Sequence, residues 1–170
     1  PLKTLVKLCN MRSVNLYAEA MLKECGVKLY GVGNDSTGTK AVMDFWNKNG
    51  ISNTLKMADG CGMSMYDSTT ANNLIKALNI MKSINTFNSF YQSFPVAGIS
   101  GTMTNTCKTG PACGKVCCKT GSVNGVLNYA GYVTNSEGKL LSFALMMNGY
   151  SCSFWEAKKQ AELLMQTLAR

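Results

Sequence analysis

Two short polar patterns in this chain are of a kind that binds an anionic or hydrogen-bonding substrate. Lys119-Thr120-Gly121 closes a predicted strand just ahead of a turn. An ammonium there holds an anion, the Thr hydroxyl hydrogen-bonds a carboxylate, and the glycine has no Cβ to keep a ligand off the strand edge. Ser13-Val14-Asn15 opens a helical segment with a hydroxyl and an amide, both neutral hydrogen-bonding groups. Each pattern is weak alone. An S-x-N at a helix start reads as an N-cap, and Lys108-Thr109-Gly110 is a second K-T-G that runs into Pro111 among loop residues, so it reads as a decoy. The chain has no His, which removes His-based triads and His metal sites. Acid–base work falls to Lys, Ser, Tyr, Cys or a carboxylate.

The eight Cys stand at 9, 25, 61, 107, 113, 117, 118 and 152. Four of them fall between 107 and 118, but no C-x-x-C pair exists and the adjacent Cys117 and Cys118 point to opposite faces of a strand. They read as buried or idle thiols, with no metal site and no cofactor expected; one disulfide is compatible with the count, its partners undetermined. Net charge is +8, from 17 Lys plus Arg against 9 Asp plus Glu. Only Arg12 and Arg170 are Arg, and the Lys never form a basic run. Nucleic-acid readers cluster such residues on one face, so no nucleic-acid partner is expected, and the excess suits an anionic substrate or surface. Hydrophobic residues make up 46% of the 170 positions, enough for a packed core. Charged residues at 15% argue against disorder. No apolar run approaches the ~20 residues of a membrane span, and no secretory signal opens the chain. Pro1 reads as a cloning or processing boundary.

The elements follow from periodicity. Leu2–Leu8 and Asn15–Lys23 read as helices, the second stopped at Gly26; residues 31–38 read as a loop; Thr39–Asn49 reads as a helix ended by Gly50. A loop carries Asp59-Gly60-Cys61-Gly62, and Thr70–Lys82 presents Leu74, Ala77, Leu78 and Met81 on one helical face. After Pro95 the pattern changes to strands over Lys115–Lys119 and Val126–Thr134, with turns at Ser122–Gly125 and Asn135–Gly138. Leu140–Asn148 is nearly continuous in apolar residues and reads as a central strand buried on both faces. A helix follows, opened by a Ser153–Glu156 capping box and striped by Ala157, Ala161, Leu164 and Leu168; it should cover the sheet. No repeat or linker divides the chain.

An upstream S-x-N with a strand-borne K-T-G resembles the penicillin-binding proteins and serine β-lactamases, and longer segments narrow the likeness. Arg12–Glu19 resembles the S-x-N helix of the D-alanyl-D-alanine carboxypeptidase/endopeptidase family, the class C low-molecular-mass penicillin-binding proteins. Asp59–Ser64 resembles that family's D-G-S-G-L-S, Phe94–Thr102 its L-P-V-A-G-x-D-G-T, and Lys119–Tyr132 its K-T-G-T-x-x-x-V-x-x-L-A-G-Y. The segments are in order and span nearly the whole chain.

The resemblance implies an α/β (α+β) fold of the β-lactamase/transpeptidase-like type, an antiparallel sheet flanked by helices, here as a partial domain. It implies a serine-type D-Ala-D-Ala carboxypeptidase, or endopeptidase, that acts on peptidoglycan stem peptides through an acyl-enzyme, binds β-lactams and is exported to the periplasm. The family's nucleophile and base lie in an S-x-x-K upstream of S-x-N. The only S-x-x-K here is Ser136–Lys139, in a predicted hairpin on the wrong side in chain order. Residues 1–170 are therefore expected to be the C-terminal portion of the catalytic domain, inactive alone. By resemblance, Ser13 relays a proton, Asn15 hydrogen-bonds the substrate amide, Lys119 and Thr120 hold the terminal carboxylate beside Gly121, and the Ser122 N–H is an oxyanion-hole donor. Cys61, Met65 and Cys118 depart from the family's usual Ser, Arg and small residue. An alternative is a non-catalytic module that keeps the anion-holding K-T-G; another is a generic basic binding domain. Without a neighbour, the 140–148 strand is expected to pair with another chain.

Overall fold

A computed structural model describes residues 1–51 and 54–170. They form two units, Pro1–Ser13 with Leu78–Arg170, and Val14–Ala77. The chain leaves the first unit after Ser13, at a tight bend between helices α1 (Leu2–Arg12) and α2 (Asn15–Tyr30), and returns to it inside helix α4 (Ala71–Lys82). Neither crossing uses a flexible linker, which is why composition gives no sign of it. No helix among the described residues is long and apolar enough to cross a membrane.

The first unit is built on a three-stranded antiparallel sheet, β1 (Val116–Val123), β2 (Val126–Thr134) and β3 (Leu140–Asn148), in that spatial order. Side chains alternate between two faces, as strand geometry requires. One face buries Val116, Cys118, Tyr129 and Phe143 against Ala157, Ala161 and Met165 of helix α6 (Phe154–Leu168). The other buries Cys117 and Tyr132 against Leu78 and Phe94, with Phe87 and Tyr91 of α5 (Phe87–Tyr91) beside them. The helix α6 opens on its capping box, Glu156 N–H donating to Ser153 Oγ at 3.3 Å and Ser153 N–H to Glu156 Oε2 at 2.9 Å. Its buried stripe is Ala157, Ala161 and Met165, continued by Ala169 just past its end, not the expected run through Leu164, which is 39% exposed. Ala157 and Ala161 let the first half of the helix lie close on the sheet, and Met165 fills the space beside its second half.

Along β1, Pro95 O accepts from Cys118 N–H at 3.2 Å and Ala97 N–H donates to Val116 O at 2.9 Å. The segment 95–97 therefore covers the outer edge of β1 only as far as Cys118. Past that point no described strand pairs with it. β3 has β2 on one side and no described strand on the other. Of its nine residues only Phe143 is fully buried, so burial on both faces is corrected to a half-buried strand. Leu2–Arg12 is a helix and supplies no neighbour to it.

In the second unit, α2 runs past the expected stop at Gly26 and ends at Gly31, whose φ of 74° terminates it. Gly26 is buried inside the helix because α3 (Asp35–Lys48) passes there. A Cβ on Gly26 would meet Thr37 Oγ1 at 2.6 Å and Gly38 N at 2.9 Å, and one on Gly38 would meet Leu22 O at 2.6 Å. The expected loop over 31–38 is shorter than read. Asn34 caps α3, accepting from Thr37 N–H at 2.9 Å while Thr37 Oγ1 accepts from Asn34 N–H at 3.3 Å; the Asn/Asp/Ser/Thr run is a capping box. Glu19, Asp59 and Cys61 bring their ligand-type atoms within 4.8 Å of one another, but each carboxylate serves the backbone. Glu19 Oε1 accepts from Gly60 and Cys61 N–H, and Asp59 accepts from Gly62, Met63 and Ser64 N–H. Burial, with Glu19 beside it, pushes the Cys61 thiol up to about 11.

Candidate active site

The residues Lys119–Ser122 lie inside β1, not at its end. The strand continues to Val123 because a two-residue Asn124-Gly125 loop, with Gly125 at φ 71°, closes the hairpin more tightly than the expected four-residue turn. Thr120 pairs with Tyr129 and Ser122 with Leu127 across to β2. These side chains share the α6 face, while Lys119 projects to the opposite face. A Cβ on Gly121 would meet nothing within 4 Å. Packing therefore does not demand glycine here.

Ser13 is not a helix N-cap, as its pattern suggests. It is the last residue of the α1 turn, in the left-handed conformation (φ 54°, ψ 51°), with its N–H bonded to Cys9 O. The residue that caps α2 is Val14, which offers no side-chain cap. The Ser13 hydroxyl is thus spared from capping and accepts a 2.8 Å hydrogen bond from Lys119 Nζ, 106 residues away in sequence. Left-handed backbone at a non-glycine residue carries strain that persists where a site demands it. Lys119 Nζ also donates to the Thr120 carbonyl at 2.5 Å. Burial holds the Lys119 ammonium below the usual lysine range, only partly offset by Cys9 and Cys118 nearby. Asn15 opens α2 in the second unit and is exposed.

Ser13, Thr120, Gly121 and Ser122 line one cleft of about 300 Å³. Thr102 joins them, accepting at 3.1 Å from the Thr120 hydroxyl. Thr106, Leu127, Tyr129, Phe154 and Lys158 complete the lining, and no acidic side chain is among it. The arrangement is a hydroxyl-rich, cationic cleft along an uncovered strand edge. It can take an extended peptide as an added strand and hold an anionic end.

The whole chain, residues 1–170, matches the model of the D-Ala-D-Ala carboxypeptidase 3 (S13) family. The chain belongs to that family. It is 30% identical to the D-alanyl-D-alanine carboxypeptidase DacB of Haemophilus influenzae over 98% of its own length and 36% of that protein's. It is 32% identical to a D-alanyl-D-alanine carboxypeptidase of an Actinomadura species over 82% of its length and 27% of the relative's. The solved structure of penicillin binding protein 4 from H. influenzae, complexed with a β-lactam, superposes with a TM-score of 0.85 at 30% identity, covering 99% of this chain and 40% of that one. The chain thus spans about a third of the length of the curated relatives it matches. Its sheet and flanking helices are the α+β fold of the penicillin-binding proteins, in part.

Against this S13 background the remaining motifs fall into place. The second K-T-G is tied to α6. Gln166 Nε2 donates to Thr109 O at 2.7 Å and Gln166 Oε1 accepts from Ala112 N–H at 2.9 Å, with Gly110 at φ 83° in the bend between. Ser136–Lys139 is an exposed hairpin, with Lys139 paired to Glu137 at 2.9 Å. Cys117 Sγ donates to Tyr91 OH at 3.4 Å and Cys118 Sγ contacts Met103 Sδ at 3.7 Å, from opposite faces of β1; no disulfide forms among the described residues. Sequence reasoning missed Thr106 and Lys158. Thr102 closes the quoted Phe94–Thr102 segment, which was the signal for it. Lys158 gave none, being one of two adjacent Lys on an amphipathic helix.

Proposed function

We propose that these residues are the C-terminal portion of the catalytic domain of a serine-type D-Ala-D-Ala carboxypeptidase that acts on peptidoglycan stem peptides through an acyl-enzyme. The single observation that carries the reading is the Ser13–Lys119 hydrogen bond at 2.8 Å. It joins the S-x-N to the strand-borne K-T-G, and not to the Lys108 copy. In this reading Ser13 relays a proton to the leaving amine, with the Lys119 ammonium easing proton loss from its hydroxyl. Asn15 hydrogen-bonds the substrate amide. Lys119 and Thr120 hold the terminal carboxylate, Gly121 lets the peptide lie against β1, and the Ser122 N–H points at the developing oxyanion. The nucleophile and its lysine base come from an S-x-x-K elsewhere in the protein, because the only copy here sits in the Ser136–Lys139 hairpin. The substrate places the protein at the cell wall, in the periplasm, where β-lactams would acylate it as substrate mimics.

Release of D-alanine from an N-acylated peptide ending in D-Ala-D-Ala by the full-length protein is the test. The reading expects turnover by the parent and none by Ser13→Ala. It also expects no covalent fluorescent-penicillin label on residues 1–170 alone. Turnover unchanged in Ser13→Ala, or stoichiometric labelling of the isolated chain, would overturn it.

A further inference from the structure

The cleft holds a cation that the roles above do not use. Lys158 stands on the first turns of α6, beside the fully buried Ala157, and its side chain is only 13% exposed. Its Nζ donates to the Asn105 carbonyl at 2.6 Å. The nearest carboxylate is its own helix neighbour Glu162, at 3.8 Å, which is long for a contact ion pair. A carbonyl satisfies one N–H but neutralises no charge, and an ammonium has three donors. A lysine merely covering the sheet would extend its head to water; this one is held at the cleft, its Nζ over the Trp155 ring at 5.5 Å from the centroid, and the cleft lining has no acid. The same cleft is lined by Thr102, Thr106 and Thr120, with Leu127 and Phe154 as its apolar residues. Lys119 places two of its three donors on Ser13 and the Thr120 carbonyl and keeps one for a ligand.

We infer that Lys158 is a second carboxylate-recognising residue, so that the free carboxylate of a peptide ligand is held between β1 and α6, by Lys158 and the threonine hydroxyls together. The apolar residues of the cleft suit a small apolar side chain on the carboxyl-terminal residue. The inference rests on the reading that this cleft takes a peptide ending in a free carboxylate.

The measurement is the ratio of kcat/KM for an N-acylated peptide ending in D-Ala-D-Ala to that for its carboxyl-terminal amide, in the full-length protein. The ratio cancels any loss of folded protein. The parent should prefer the acid. Lys158→Met should cut that preference about tenfold, the loss of one charge-assisted contact, while Lys158→Arg should keep most of it. Glu162→Gln removes the competing carboxylate and should raise the preference, which decides the matter even if Lys158→Met does not fold. A parental ratio in both Lys158→Met and Glu162→Gln would overturn the inference. A parent with no preference for the acid would refute the underlying reading, and the inference with it.

Discussion

The most informative single residue is Ser13. Its left-handed backbone and its bond to Lys119 belong together, since a serine relaxed into the preceding helix would not present Oγ to β1. Glycine adopts this conformation without the steric penalty. Ser13→Gly should therefore melt no lower than the parent, yet fail to take a fluorescent penicillin label in the full-length protein. A lower melting temperature would remove the strain argument. Lys119 makes a second prediction. Only its ammonium holds an anion, and burial lowers its pKa below the ordinary 10.5. Affinity for a carboxylate ligand should decline as pH rises through that depressed value, before an exposed lysine would titrate. The stability sign is opposite. Between the folded pKa and 10.5 the unfolded chain binds more protons, so the cost of the buried charge fades as pH rises. Binding titrations across the alkaline range check the first, and chemical denaturation over the same range checks the second.

At the scale of elements, two glycines of one sheet separate packing from function. A Cβ on Gly131 would meet Cys117 O and Cys118 Cα, the latter at 2.5 Å. These are backbone atoms that cannot yield, and Gly131→Ala should cost about 1–3 kcal/mol or more in denaturant unfolding. Gly121 faces open space, so Gly121→Ala should leave stability within about 0.5 kcal/mol while weakening peptide binding. Equal destabilisation by the two would mean that Gly121 is a packing residue. The same sheet shows what sequence reasoning reaches. β2, β3, the 135–138 hairpin and α6 follow from strand-type residues between turn signals, a nearly continuous apolar run, turn residues and a capping box, all local signals, and they emerge with their expected bounds. Gly26 and Asn34–Thr37 were misread for one reason. Glycine and polar residues also serve helix crossing and helix capping, and which use applies depends on a partner helix that the sequence does not locate. Ser13 was legible as a motif but not as a C-terminal bend, because its conformation is set by the turn from α1 into α2. Lys158 was illegible, since only tertiary placement distinguishes it from Lys159.

For the whole molecule, the uncovered side of β3 has a consequence. Lys82 Nζ donates to the Leu140 carbonyl at 3.0 Å, a lysine device that blunts one end of an edge. Leu141, 36% exposed, and the half-buried Leu145–Met147 have no such protection. We expect residues 1–170 on their own to self-associate at micromolar concentration through 140–148, and Leu145→Lys to reduce this. Light scattering on both proteins checks it, and a monodisperse monomer of the parent would refute it.

The central claim is that the K-T-G at Lys119, and not its copy at Lys108, works with Ser13 in one acylating site. Fluorescent-penicillin labelling rates of the full-length protein and its Lys119→Ala and Lys108→Ala variants test this most directly. The account predicts parental labelling for Lys108→Ala and a loss of about a hundredfold for Lys119→Ala, the scale of removing one electrostatic contact from an acylation site. Equal losses in both variants, or parental labelling by Lys119→Ala, would contradict it.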